Sequence, residues 1–378
     1  MAENIKSERL LSLDALRGFD MMWIISGEII VHALAKASGD PVSTWMSCQL
    51  QHTPWNGFTF YDMIFPLFIF IAGISMPFSL GRKTEGKTGD ELKKAKKEAY
   101  GALIKRTVIL ILLGMMVNKA LQFNDYEHTR FASVLGRIAL SCFLAAIIFL
   151  NFKLRNQIII FISILIGYCL LMLFIPAPGF GAGVLTPEGN LSAYIDQLFL
   201  PGKLHRVVYD PEGILSTIPA VATALLGVFT GQFLRFESAT LSKLKKGLIM
   251  GAAGIIFLIL GLIWDTFFPI NKNMWTSSFV LFAGGWSLLL LSAFYLIIDV
   301  WGLKKWSIAF VWIGTNSILI YMASHGVVNF ESTSQFIFGG LIKNLPELWQ
   351  EVWIGCGILL IQLVLLGFLY KKKWFLKV

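Results

Sequence analysis

His52 lies in the segment QHTPWNG, just ahead of an apolar stretch that begins near residue 58. An imidazole with an ordinary pKa of about 6.5 takes up or gives up a proton near neutral pH. Pro54 and Gly57 constrain the backbone around it, and Trp55 offers the kind of flat apolar face on which sugars stack. A loop histidine is more often inert than functional, and only the neighbours in this segment bring His52 level with the inert reading. Asp62 follows one turn into the apolar stretch. A second group of ionisable residues, Asp14, Arg17, Asp20, Glu28 and His32, falls within the first apolar segment. Each costs about 2.5–3.5 kcal/mol at the centre of a membrane helix. Arg17 is three residues from Asp14 and three from Asp20, so it can pair with either carboxylate. Asp20, Ile24, Glu28 and His32 step by four along one stripe. A buried ion-pair seam between helices accounts for the residues around Arg17 but leaves Glu28 and His32 unexplained, which favours a polar cavity.

Other apolar segments carry similar groups. Arg137 lies one turn into the fourth segment, and Asn316 is near mid-depth of the ninth. Ser317, Tyr321 and His325 continue from there in steps of four. Asn316 can equally serve as hydrogen-bonding glue between helices. Asp265 and Asp299 fall near segment ends within reach of solvent or a lysine, and His128 and His205 in outer loops are weaker candidates than His52.

The elements that must position these groups are membrane helices. Of 378 residues, 56% are apolar and only 15% charged, with a mean hydropathy of +0.69. Soluble globular chains are nearer 45–50% apolar and about 25% charged. The composition therefore excludes a soluble enzyme, a disordered tail and a nucleic-acid-binding domain. Ten spans are expected, at approximately 12–37, 58–80, 102–121, 133–152, 157–175, 214–234, 247–268, 276–300, 306–328 and 350–370. The fold class is thus all-α, a polytopic membrane helix bundle read as one domain over 1–378.

The net charge of +9 follows from loop placement rather than from a nucleic-acid partner. With the lysine-rich loop 81–106 in the cytoplasm, 23 Lys and Arg residues fall inside and 7 outside, and both termini are cytoplasmic. The inside set includes Lys6, Arg9 and Lys377. Segment 83–100 is expected as a surface helix anchored on anionic lipid head groups. The outer loops 38–57 and 176–213 are long enough to be lids or binding loops. The polar stretch Met1–Leu10 is not expected to be a cleaved leader. No internal repeat is visible, which gives little support to a transporter built on inverted repeats. The four cysteines show neither metal spacing nor a disulfide framework, and no metal is expected.

Several blocks, in order, carry a resemblance: RLLSLDALRGFD (9–20), HTPWNGFTFYDMIFPLFIFIAGIS (52–75), VLGRIA (134–139), YDPEGILSTIPAVATALLGVFTGQFL (209–234), NKNMW (271–275) and NSILIY (316–321). Together they resemble the heparan-α-glucosaminide N-acetyltransferase family, within the broader transmembrane acyltransferases. The resemblance implies transfer of acetyl from cytoplasmic acetyl-CoA to the amine of a glucosamine-type sugar across the membrane. It implies catalytic roles for His52 and Asp62, with Trp55, Asn56, Glu28 and Asn316 at the substrate. Asp14, Arg17 and Arg137 would serve acetyl-CoA. Glu28 stands where the lysosomal enzyme carries an asparagine, the loop from there to His52 is longer, and His325 is displaced by one position. His52 as general base and a ping-pong route through acetyl-His52 are both open. The lean loops suggest a bacterial inner-membrane protein facing the periplasm, embedded in lipid, and the family suggests a homodimer. The rival expectation is a proton-coupled amino-sugar transporter without acyl transfer, using the acidic stripe as a cation path.

Overall fold

The computed structural model describes residues 10–122, 125–238 and 240–376. Lys6, Arg9 and Lys377, counted above among the inside charges, lie outside the described residues. Among those described, ordered structure is helical apart from two isolated bridges, Arg130–Gly202 and Arg206–Tyr209. Among the described residues, nine helices are long and apolar enough to cross a membrane, or ten when a bent pair is taken as one span. The chain is a multi-pass membrane protein.

The spanning helices are α1 (Leu11–Ser38), α3 (Phe60–Thr84), α4 (Gly89–Val117), α5 (Val134–Asn151), α6 (Leu154–Phe174), α8 (Thr217–Arg235), α9 (Lys243–Asp265), α10 (Ser277–Val300) and α14 (Glu347–Lys371). The bent pair is α11 (Lys305–Thr315) and α12 (Ser317–Val327), at 67°. Each expected span has its counterpart. Three further helices, α2 (Pro41–Gln49), α7 (Leu191–Phe199) and α13 (Phe330–Ile342), occupy connections that hydropathy alone passes over.

Two expectations are corrected. The lysine-rich segment is not a separate surface helix but the first part of α4, whose 29 residues run without a break. Lys, Glu and Ala are strong helix formers, and no proline interrupts them. At about 1.5 Å per residue, such a helix is longer than the roughly 30 Å hydrocarbon layer. The ninth span is not continuous either. It breaks at Asn316, whose φ of −128° and ψ of 32° are not helical. Its side chain donates to the Trp374 carbonyl and accepts from the Leu376 N–H, both at 3.0 Å.

The chain divides into two compact units. The first comprises residues 10–47, 242–251 and 289–376. Its tightest packing joins α1 to α11 through glycines. A Cβ on Gly18 would stand 1.7 Å from the Phe310 carbonyl oxygen, and one on Gly314 would stand 1.9 Å from that of Asp14. Helices in lipid gain little from apolar burial against one another, so close backbone contact over small residues supplies their attraction. The second half of α1 packs on α14, which in turn packs on α13. Within α1 a π turn at Trp23–Gly27 carries the Glu28 N–H to the Trp23 carbonyl. The turn absorbs one extra residue, so the eight-residue step from Asp20 to Glu28 stays close to two full turns.

The second unit comprises residues 48–241 and 252–288. Here α3 and α8 cross at the same kind of contact. Cβ atoms on Gly73 and Gly227 would stand 2.2 and 2.1 Å from the Ala224 and Phe70 carbonyl oxygens. Helix α5 packs against both α4 and α8. A buried cluster of Tyr168, Met172, Leu191, Phe268 and Met274 anchors the connections at this end of the unit, with Trp55 packed against it.

Candidate active site

Asp62 is the third residue of α3, and the local sequence T-x-x-D makes it half of a capping box with Thr59. Oδ2 accepts from the backbone N–H of Thr59 (3.2 Å) and of Thr53 (3.3 Å), and from both threonine hydroxyls at 3.1 Å. That leaves Oδ1 for His52, whose Nδ1 lies 2.8 Å away. The carboxylate is buried, with a side chain 1% exposed, whereas the imidazole is 51% exposed and lies tilted against the Tyr61 ring. A buried carboxylate bonded at Nδ1 fixes the ring and leaves Nε2 to exchange protons, the division of labour seen in hydrolase triads.

The other residues of QHTPWNG hold the loop in place. Gly57, at a φ of +116°, donates its N–H to the Ile270 carbonyl at 2.8 Å. Asn56 accepts from the side chain of Asn271 at 3.0 Å. The Trp55 indole N–H donates to the Leu185 carbonyl at 2.8 Å, and its ring meets Tyr209 edge-on at 5.0 Å.

The Asn56–Asn271 bond brings NKNMW onto the histidine and with it a residue that sequence reasoning counted only as a loop charge. Lys272 Nζ is 2.9 Å from His52 Nδ1, 3.1 Å from Nε2 and 3.6 Å from Asp62 Oδ1. Burial lowers the pKa of this ammonium, and the Asp62 charge opposes the shift. The signal in the sequence was the motif itself: asparagines flanking a lysine between two spans.

Arg137 is buried in α5. Its Nη2 donates to the Gly213 carbonyl at 3.2 Å and to the Ser216 hydroxyl, and the guanidinium lies over the Trp275 ring at 5.0 Å. Its Nε and Nη1 have no hydrogen-bond partner among the described residues. The YDPEGILS segment (209–216) thus holds Arg137 through Gly213 and Ser216, and is itself held from two sides. Arg130 grips Asp210 with two bonds, at 2.8 and 2.6 Å, and also reaches Glu212. Asp196 accepts the Ile214 N–H at 2.8 Å and lies so close to Gly213 that a Cβ there would stand 2.1 Å from its Oδ2. None of Arg130, Asp196, Asp210 and Glu212 was singled out from the sequence.

Burial raises the Asp196 carboxyl to about 7, against the opposing Ile214 N–H. In the unfolded chain it loses its proton near 3.8. Between these values the folded state holds more protons, so stability falls as pH rises. The thermal midpoint of the wild type relative to Asp196→Asn is expected to drop between pH 4 and 7 and to level off above, as read by unfolding scans in detergent. A constant difference across that range would contradict this.

The candidates from the first span, with Asn316, Tyr321 and His325, belong to the first unit, whereas His128 and His205 lie in the second. Arg17 pairs with Asp14 at 3.6 Å, whereas Asp20 is 1% exposed with one carboxylate oxygen unpartnered among the described residues. Glu28 lies 3.8 Å from His32, whose other nitrogen bonds the Ser47 hydroxyl at 2.7 Å. A cavity of about 780 Å³ in this unit is lined by His32, Lys36, Ser324, Glu331, Glu351 and Gln362, among others. Asn316 is buried at the helix break with both ends of its amide engaged. Tyr321 and His325 stack at 4.3 Å where α12 ends.

A sequence profile described as heparan-alpha-glucosaminide N-acetyltransferase, catalytic, matches residues 9–259. The chain belongs to this family. Curated relatives include the heparan-alpha-glucosaminide N-acetyltransferases of Mus musculus and Homo sapiens, each 28% identical over 384 residues. The match covers 87% of this chain and 56% of each relative, so the chain spans little more than half the length of the animal proteins. The family match contains His52, Asp62 and Arg137 and ends before Lys272. The longer alignments with the animal proteins cover most of the chain.

Proposed function

We propose that the chain is a transmembrane N-acyltransferase that moves acetyl from acetyl-CoA to the amine of a glucosamine-type sugar. The observation that carries this reading is the His52–Asp62 pair, a half-exposed imidazole oriented by a fully satisfied buried carboxylate. His52 Nε2 accepts a proton from the acceptor amine as its nitrogen attacks the thioester carbonyl. Asp62 keeps the Nδ1 proton in place and balances the imidazolium that forms. The thiolate of CoA leaves and takes that proton. The chemistry needs no metal.

Trp55 and Asn56 belong to the loop that carries the base and form the acceptor side of this reading. Arg137 assists through the loop it holds, because its guanidinium is buried between Gly213, Ser216 and Trp275. Glu28, which offers a carboxylate to a cationic amine, is assigned to the acceptor, and Asp14 with Arg17 to the donor, on the family resemblance. Asn316 reaches a substrate only where Trp374 and Leu376 release its amide. The lysine asymmetry supports cytoplasmic termini with the donor entering from the cytoplasm and the acceptor on the opposite, periplasmic face of a bacterial inner membrane. A homodimer in lipid completes the proposal, with the whole chain serving as one acyltransferase domain.

The test is thiol release from acetyl-CoA by detergent-purified protein with and without glucosamine. Acceptor-dependent release, with N-acetylglucosamine as product, is expected. Proton-coupled uptake of glucosamine into proteoliposomes lacking acetyl-CoA, with no thiol release, would replace this reading by the transporter.

A further inference from the structure

We infer that Lys272 is a catalytic cation whose ammonium holds the negative charge that develops on the acyl oxygen. The inference rests on the acyl-transfer reading above. Three features of the site argue for it.

The first is placement. The lysine sits on a short, pinned loop. The Asn271 side chain bonds Asn56 and the Met274 N–H, its backbone N–H reaches the Thr276 hydroxyl, and Trp275 adopts a φ of +52° with its indole donating to Thr223. Preorganised donors stabilise a transition state because they need no rearrangement when charge appears. Nζ lies about 3 Å from the imidazole that handles the proton, so a carbonyl attacked beside His52 comes within reach of both groups.

The second is that Asp62 does not require this lysine. Four threonine donors and the imidazole already satisfy the carboxylate, and Nζ stays 3.6 Å from Oδ1, longer than the hydrogen bonds Asp62 already makes. A buried ammonium is costly unless its donors are used. It carries three N–H groups, of which the imidazole can accept one, while Asp62 attracts it by charge at 3.6 Å without a hydrogen bond, so N–H groups remain for a substrate oxygen.

The third is the electrostatic setting. Lys272 has a side chain only 12% exposed, and Arg137 lies near enough to repel its charge, while Glu212 and Asp62 attract it. Charge interactions in such a setting are worth more than in water.

The step balances. The amine nitrogen bonds to the carbonyl carbon while the C=O π pair moves onto oxygen, which accepts a hydrogen bond from Lys272. His52 takes the proton from nitrogen. The C=O re-forms, the C–S bond breaks, and the CoA thiolate leaves and receives the proton from the imidazolium.

The experiment compares wild type, Lys272→Met and Lys272→Arg, measuring kcat and KM for acetyl-CoA together with thermal midpoints in the same detergent. Lys272→Met is expected to lower kcat about 10²–10³-fold, the range found when one oxyanion donor is removed, with KM and the midpoint nearly unchanged. Lys272→Arg, which keeps the charge but moves the donors, should fall between the two and also guards against a methionine variant that fails to fold. A Lys272→Met enzyme with wild-type kcat, or with a loss confined to KM, overturns the inference and leaves the acyl-transfer reading standing. A wild type that transfers no acyl group removes both.

Discussion

Replacing His52 by alanine is expected to lower acceptor-dependent CoA release by about 10²–10⁴-fold, the range of a positioned general base. Asp62→Asn should cost a comparable factor although the side chain keeps its shape. Oδ2 accepts four hydrogen bonds from Thr53 and Thr59, so an amide must set its oxygen there. Its NH2 then faces Nδ1 and selects the wrong tautomer of His52, the effect that makes the same change so damaging in hydrolase triads. The pair of variants is informative because the two substitutions should be far from additive: groups acting as one unit lose most of their effect together. A double variant whose loss is the product of the single losses would mean that the hydrogen bond between Nδ1 and Oδ1 is not part of the chemistry.

Gly18→Ala is expected to be among the most damaging single-methyl changes in the protein. The added carbon would stand 1.7 Å from the Phe310 carbonyl oxygen, a backbone atom that cannot rotate away. Helices α1 and α11 would have to separate, losing the close packing that holds them in lipid. Overpacking costs about 1–3 kcal/mol in ordinary cores, more where backbone meets backbone. A marked loss of folded yield and a lowered thermal midpoint should follow. Gly101→Ala is the natural control, since a Cβ there meets nothing within 4 Å. In mid-helix that change should be neutral or stabilising by up to about 1 kcal/mol. Equal behaviour of the two variants would show that the α1–α11 contact is looser than its geometry indicates.

The membrane spans were legible because they depend on composition over some twenty residues, a property that tertiary contacts hardly alter. The His52–Asp62 pair was legible for a local reason: ten residues separate them, and the capping box that fixes the carboxylate is written in the sequence T-x-x-D. Lys272 was not legible as a partner of His52, because the two are 220 positions apart and the bond that joins their loops is an amide-to-amide contact between Asn56 and Asn271. Arg137 was found but its surroundings were not, since Ser216, Gly213 and Trp275 come from distant parts of the chain. Periodicity also passed over the break at Asn316. Apolar runs at 308–313 and 318–322 lie on either side of the short polar stretch that contains it, and only the backbone angles and the bonds to Trp374 and Leu376 reveal it.

That last contact has a practical side. Residues 374–376 hold both ends of the buried Asn316 side-chain amide at the break in the span. In a low-dielectric setting those amide groups have few other partners. The carboxyl-terminal segment therefore works as a latch on the break, and an affinity tag or reporter fused directly behind it would pull on that latch. Fusions intended to leave the bundle undisturbed need a flexible spacer after Leu376.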